Sequence, residues 1–185
     1  MNKFTSYFFI IIFLLSTFLS LFSIQPTYKS SNKTYHYSTN YIFEWPFENN
    51  FEITSTFGKR FHPVTQKESY HSGIDILAKE NTNIYSISNG TVTYTGFLGA
   101  NGYSIIISSS SFEIIYGHVS PNYIVKPNDS ILLNQLIGYV GPKYLTIKTP
   151  YKTPTGYYLN GLTTGPHLHL SIKKDGIAVN PLDYL

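Results

Sequence analysis

The chain has 185 residues, 42% of them hydrophobic, which suits one ordinary domain with a real core and a short appendage. Charged residues make up only 12%, against roughly 25% in an average soluble domain, and the net charge is +3, which argues against disorder, a charge-laced helical bundle and a nucleic-acid binder. The 17 tyrosines and 13 phenylalanines favour a β-rich fold, and the absence of cysteine leaves His, Asp and Glu to hold any metal.

The N-terminal segment predicts export. Residues 7–24 carry no charge and follow a single basic residue, Lys3. Apolar side chains would surround a helix here on every face, which favours a hydrophobic segment in a membrane over a buried core helix. We expect residues 1–25 to be a signal peptide or a membrane anchor that directs the chain to the periplasmic or extracellular face of the cell envelope. Cleavage is left open because Leu21 and Ser23 make a poor cleavage site.

Residues 26–42 are polar and aperiodic, which predicts a linker with a solvated His36, and residues 43–185 are predicted to form the folded domain. In that domain, turn signals separate short runs of strand length. Asn89-Gly90 predicts a hairpin between residues 84–88 and 91–95, and Asp175-Gly176 predicts another between residues 172–174 and 177–179.

Residues 103–108 and 112–116 are further predicted strands, on either side of a four-serine turn. No segment after residue 25 sustains helical periodicity beyond two turns. We therefore predict a mostly antiparallel β domain, folded as a compact sandwich or barrel-like sheet pair.

Two motifs carry candidate metal ligands. In the run from His167 to Ile172 the residues alternate, so His167 and His169 would share one face of a strand while the leucines enter the core. In the second motif, His71 and Asp75 could converge on one ion if the intervening residues turn. Each motif alone also has a structural interpretation: a chance His-x-His pair in the first, and a His–Asp hydrogen bond at the start of a strand in the second.

Together the two motifs supply three ligands and one spare histidine. Three protein ligands with an open fourth position are typical of a catalytic zinc, whereas structural zinc sites are closed by four. Two other histidines are candidates only because the two motifs are present. His118 ends an apolar strand, and His62 precedes a proline and so lies in extended or turn geometry.

These motifs, taken in order, resemble the lysostaphin-type (LytM-like) zinc metalloendopeptidases, which cut peptide bonds in bacterial peptidoglycan. The resemblance runs from about Thr56 to Leu185 and rests on Phe57-Gly-Lys-Arg60, His62-Pro63, His71-Ser-Gly-Ile-Asp75, Asn89-Gly90, Gly102-Tyr103, Tyr116-Gly-His118, Ile137-Gly-Tyr-Val-Gly141, Thr164-Gly-Pro-His-Leu-His169 and Asn180-Pro181. It implies a β-sheet groove with Zn²⁺ at its floor. His71, Asp75 and His169 would be the zinc ligands, and His118 and His167 the catalytic pair around the attacking water.

The chain departs from that family in three places. Residues 142–162 form a longer link before the His-x-His strand, Ser171 stands where an acidic residue often follows, and Asn134 replaces a usual glycine. We expect the long segment, with its lysines and tyrosines, to form a wall or lid beside the zinc groove.

Two other function classes remain as alternatives to the enzyme. A non-catalytic regulator or peptidoglycan-binding module would keep the fold, but it would be expected to have lost one of the five site residues, and all five are present. A carbohydrate-binding β-sandwich would use the many tyrosines but would leave the histidine arrangement unexplained.

Overall fold

The computed structural model describes residues 43–48, 51–61 and 66–185. The predicted N-terminal hydrophobic helix, the linker with His36 and the candidate His62 lie outside these residues, so the domain boundaries stay predictions. Within the described part of the chain, no helix has the length and apolar character needed to cross a membrane.

The described residues form short β-strands and two 3₁₀ turns, Gly99–Asn101 and Pro181–Asp183, with no α-helix. The strands are β1 (Glu52–Ser55), β2 (Gly58–Phe61), β3 (Glu68–His71), β4 (Ile74–Leu77), β5 (Asn83–Tyr85), β6 (Gly90–Phe97), β7 (Tyr103–Ser109), β8 (Phe112–Gly117), β9 (Ser130–Ile131), β10 (Leu136–Tyr139), β11 (Tyr144–Leu145), β12 (Tyr158–Leu159), β13 (His167–Lys174) and β14 (Ile177–Val179).

One eight-stranded sheet forms the framework, in the order β1-β4-β13-β8-β7-β6-β9, with β14 also paired to β13. Three two-stranded sheets accompany it: β10 with β5, β11 with β12, and β2 with β3. Every pair of these strands is antiparallel, which confirms the predicted mostly antiparallel β domain. Strand β13 lies between β4 and β8, so it connects the two halves of the large sheet.

The hydrophobic core lies against one face of this sheet. Leu168, Leu170 and Ile172 alternate along β13 and are fully buried, as are Ile74 and Ile76 on β4. Because strand residues alternate between faces, this burial turns the residues between them to the opposite face. The predicted split of the His167–Ile172 run into core and polar positions is therefore confirmed.

The two predicted hairpins have different outcomes. Asp175 and Gly176 both have positive φ, at 50° and 81°, and join β13 to β14 in the predicted two-residue turn. The hairpin predicted at Asn89-Gly90 is wrong, because β5 pairs with β10 and β6 pairs with β7 and β9. The side chain of Asn89 instead accepts a hydrogen bond from the N–H of Leu133, so it supports the chain where it passes from one sheet to another.

Candidate metal centre and active site

Strand β13 carries one of the two motifs and lies beside β4, which carries Asp75 of the other. His169 lies directly opposite Asp75 on β4 and opposite Gly117 on β8. His71 is the last residue of β3, and the bend at Ser72 and Gly73 returns the chain to begin β4. A side chain at Gly73 would collide with the backbone of β13, so this close return requires glycine.

Three ligand atoms converge at this point. Nε2 of His71 lies 3.1 Å from Oδ1 of Asp75, and Nδ1 of His169 lies 2.9 Å from the same oxygen. The two imidazole nitrogens are 3.0 Å apart. All three residues are buried.

The far nitrogen of each of these imidazoles is held by an acceptor. Nδ1 of His71 lies 2.9 Å from the carbonyl oxygen of Thr56, which can only accept, so this nitrogen carries the proton and Nε2 has a lone pair. The hydroxyl of Ser171 donates to the carbonyl of Ser72 and lies 3.4 Å from Nε2 of His169. That hydroxyl can therefore accept the Nε2 proton of His169, which leaves Nδ1 with its lone pair.

Two nitrogen lone pairs and a carboxylate oxygen thus meet within about 3 Å, and none of the three atoms carries a proton to share with the others. Such a group requires a cation or a shared proton among its atoms. Nitrogen and oxygen donors in a His, His, Asp set suit Zn²⁺, whose bonds of about 2.0–2.2 Å hold ligand atoms at similar separations. The residues present therefore fit a zinc ion.

The carboxylate of Asp75 is held in its ionised form. Burial alone would raise its pKa, but the neighbouring imidazoles, His169 and then His71, outweigh burial and lower the pKa below its usual value. The guanidinium of Arg60 lies 3.2 Å from Oδ2, the oxygen that faces away from the imidazole nitrogens. Arg60 therefore occupies one carboxylate oxygen and leaves Oδ1 to the ligand group.

His118 follows β8 in a left-handed conformation, with φ of 56°, which is uncommon for a residue other than glycine. Its N–H donates to the carbonyl of Asn101 at 2.7 Å, and its own carbonyl accepts from the N–H of Gly141 at 2.8 Å. Backbone strain of this kind persists where the surroundings over-determine it, and it concentrates at functional sites. The imidazole is thereby fixed beside the ligand group.

The His118 and His167 rings lie edge to face, with centroids 4.7 Å apart. Nδ1 of His118 lies 2.7 Å from the carbonyl of Asn160, and Nδ1 of His167 lies 2.9 Å from that of Gly165. Because carbonyls only accept, both rings carry the proton on Nδ1 and keep a lone pair on Nε2. Burial, and then the neighbouring imidazoles, lower the pKa of His118 to about 3, so this ring is neutral at neutral pH.

A cleft of about 210 Å³ gives access to this arrangement. All five predicted site residues line it: His71, Asp75, His118, His167 and His169. Arg60 and the half-exposed Tyr70 lie at the same cleft. The cleft therefore places three candidate ligands and two further imidazoles around one space that a substrate can enter.

The long segment before β13 reaches this cleft at its C-terminal end. Residues 142–162 contain the β11–β12 hairpin, and Leu162 lines the cleft. Two of its lysines lie over its own tyrosine rings, Lys143 over Tyr144 at 5.0 Å and Lys152 over Tyr158 at 4.7 Å. A wall that contacts substrate through these tyrosines stays a prediction.

Sequence reasoning missed several residues that hold the site. Arg60 was part of a motif, but only the structure shows its contact with Asp75. The carbonyl acceptors of Thr56, Asn160 and Gly165 carry no residue-type signal, because every residue has such a carbonyl. Of these three residues, Gly165 lies inside the motif that ends at His169, whereas Asn160 lies outside every motif.

Comparison with known families identifies the family of this part of the chain. The profile of peptidase family M23 matches residues 69–181, which include all five site residues. The chain belongs to peptidase family M23.

One curated relative and two solved structures illustrate what this M23 domain is similar to. It is 28% identical over 140 residues to the peptidoglycan DD-endopeptidase ShyA of Vibrio cholerae, a match that covers 75% of this chain and 28% of ShyA. The crystal structure of a zinc-containing peptidase from Vibrio cholerae is 26% identical, with a TM-score of 0.59, over 74% of this chain and 37% of that one. The catalytic domain of lysostaphin from Staphylococcus simulans shares the fold, at 22% identity and a TM-score of 0.58, over 74% of this chain and 92% of that one.

The chain spans between 26% and 33% of the length of the curated relatives it matches. The family match shows the family of this domain, and the solved structures show its lysostaphin-like fold. The activities and substrates of these longer proteins are properties of those proteins.

Proposed function

We propose that this chain is a zinc-dependent endopeptidase that hydrolyses peptide bonds in the stem peptides or cross-bridges of peptidoglycan. The observation that carries the proposal is the convergence of three ligand atoms within about 3 Å, beside two imidazoles, in a cleft open to solvent. His71, Asp75 and His169 would hold Zn²⁺, and His118 and His167 would handle protons. When bound, zinc acts as a Lewis acid that polarises a carbonyl and makes water nucleophilic near neutral pH.

The chain's own residues supply the proton transfers. His118 and His167 each have Nδ1 bound to a backbone carbonyl, so Nε2 is the nitrogen that can take a proton from an attacking water. The same nitrogen can later give that proton to the departing amine, as general acid–base catalysis requires. Arg60 keeps Asp75 oriented toward the ligand group through its bond to Oδ2.

Peptidoglycan is proposed as the substrate because a relative with 28% identity is named for an endopeptidase of that polymer. The hydrophobic segment at residues 7–24 supports a location at the cell envelope, where peptidoglycan lies. We therefore propose that the chain lies at the cell envelope, where residues 7–24 either anchor it in the membrane or are cleaved as a signal peptide.

Digestion of purified peptidoglycan by the purified chain, followed by mass spectrometry of the products, tests this function. We expect shortened or uncoupled stem peptides from the wild type, product formation slower by about 10²-fold or more from His167→Ala, and no products after zinc is removed by a chelator. Zinc binding without new products would favour the non-catalytic regulator instead. The identity of the released peptides would show which bond is cut.

A further inference from the structure

His118 depends on one neighbour, Asn160, that lies outside every motif noted in the sequence. We propose that Asn160 is a positioning residue for His118. Its side-chain amide holds its own backbone carbonyl against Nδ1 of His118 and so keeps that ring in the tautomer with Nε2 unprotonated. This inference rests on the proposed function for its kinetic consequence, but its structural part can be tested without it.

The side chain of Asn160 is fully buried and bonds in two directions. Its Oδ1 accepts from the N–H of Tyr103 at 2.7 Å, which ties the residue to the start of β7. Its Nδ2 donates to the carbonyl of Val119 at 3.0 Å, directly after His118. The amide therefore bridges β7 and the residue that follows the histidine.

The backbone of Asn160 completes the arrangement. Its carbonyl oxygen accepts from Nδ1 of His118 at 2.7 Å, and its N–H donates to the carbonyl of Lys143 at 3.1 Å. One residue thus contacts β7, Val119, the imidazole and the start of the long segment. Without the side-chain bonds, the position of the carbonyl would be set by the bond to Lys143 and by the backbone bonds of Leu159 and Leu162 on either side.

Three glycines make room for Asn160. A Cβ at Gly102 would collide with the carbonyl oxygen that His118 uses, and one at Gly141 would lie 2.6 Å from Nδ2 of Asn160. Gly161 follows in a left-handed conformation, with φ of 80°, and packs against the backbone of Gly102. The fold keeps side chains away from this residue on several sides, as expected if its position matters.

The direct test is the tautomer of His118. In ¹⁵N-histidine-labelled, zinc-loaded protein, long-range ¹H–¹⁵N correlations show which imidazole nitrogen carries the proton, and the His118→Ala spectrum assigns the signals. We expect Nδ1–H for His118 in the wild type and a mixture of tautomers in Asn160→Ala. Ser86→Ala is the matched control, because it removes another fully buried side-chain bond, from Oγ to the carbonyl of Ser88 at 2.7 Å.

The kinetic test separates positioning from a general loss of stability. Asn160→Ala should lower kcat about 10- to 100-fold, the usual cost of losing a partner that orients a functional histidine, with KM and zinc content unchanged. In a His118→Ala background the same substitution should have no further effect, since it acts through that ring. Ser86→Ala should also lower the melting temperature, because a buried bond is lost, but it should leave kcat within about twofold of the wild type.

Two results would overturn the inference: an unchanged His118 tautomer in a folded Asn160 variant, or an equal loss of activity with and without His118. If Asn160→Ala does not fold, Asn160→Asp replaces it, because it keeps the size and the acceptor for Tyr103 but loses the donor to Val119. If the wild type cleaves no peptidoglycan, the proposed function fails, and the tautomer measurement alone decides the role of Asn160.

Discussion

Zinc should stabilise the fold by linking strands that are far apart in sequence. His71 and His169 are separated by 98 residues and Asp75 and His169 by 94, so a shared ion connects β3 and β4 to β13. An ion that binds only the folded chain adds about 2.7 kcal/mol when its concentration is 100 times the dissociation constant. For a domain of about 150 residues, that corresponds to a rise in melting temperature of about 10 °C.

The ligand variants give this prediction its specificity. Asp75→Ala and His169→Ala each remove one of the three converging atoms, so we expect each to lose most of the zinc-induced rise at the same zinc concentration. His118→Ala is the matched control, because its ring lies beside the group without belonging to it. It should keep the rise and a zinc content of about one per chain.

Thermal unfolding of chelator-treated protein, followed by titration with zinc and metal analysis, measures both quantities. An undiminished zinc-induced rise in both Asp75→Ala and His169→Ala would refute the ligand assignment. Loss of the rise in His118→Ala would show that ligand and proton-transfer roles have been exchanged.

Three further predictions follow from individual contacts. Replacing His118 or His167 by alanine should keep zinc but slow peptidoglycan hydrolysis by about 10²-fold or more, as measured by product release. Ser171→Ala should weaken zinc binding about 10-fold in a chelator competition, because Nε2 of His169 loses its partner. Tyr116→Phe leaves the buried N–H of Ile87 without its acceptor and should lower the free energy of unfolding by about 1–3 kcal/mol in chemical denaturation. Burial raises the pKa of Tyr116 to about 12, above its unfolded value of about 10. The stabilising contribution of the neutral hydroxyl is therefore complete below about pH 10 and is lost as the pH rises toward about 12. Tyr116→Phe should not show this loss.

The parts of the fold that were predictable depend on local patterns. Alternation along residues 167–172 predicted which side chains enter the core, because the period of two belongs to a single strand. Asp175-Gly176 predicted its turn because both residues tolerate positive φ. The Asn89-Gly90 prediction was wrong for the opposite reason. Which strand β6 pairs with depends on β7 and β9, and no local signal in the turn contains that information.

The candidate site shows the same division. Five side chains could be named in advance because their motifs resemble those of a known family, while residue type and spacing alone left a structural interpretation open for each motif. The contact of Asp75 with Arg60 joins β4 to β2, and the cleft that the five side chains share depends on β13 lying between β4 and β8. That arrangement follows from pairing across about 100 residues of chain.

The state of the imidazoles depends on a feature that residue types conceal. Three of the four site histidines have Nδ1 fixed by a backbone carbonyl, so the path of the chain, rather than a partner side chain, sets which nitrogen faces the cleft. Every residue has such a carbonyl, but its position must be held, as the side chain of Asn160 holds the one that His118 uses, and its path must stay open. The sequence should therefore show this constraint at the glycines that clear the path: Gly102, whose φ is 66°, adjoins the carbonyl that His118 uses. For His118, Gly102 therefore marks the constraint in the sequence together with Asn160, whose side chain holds the same carbonyl.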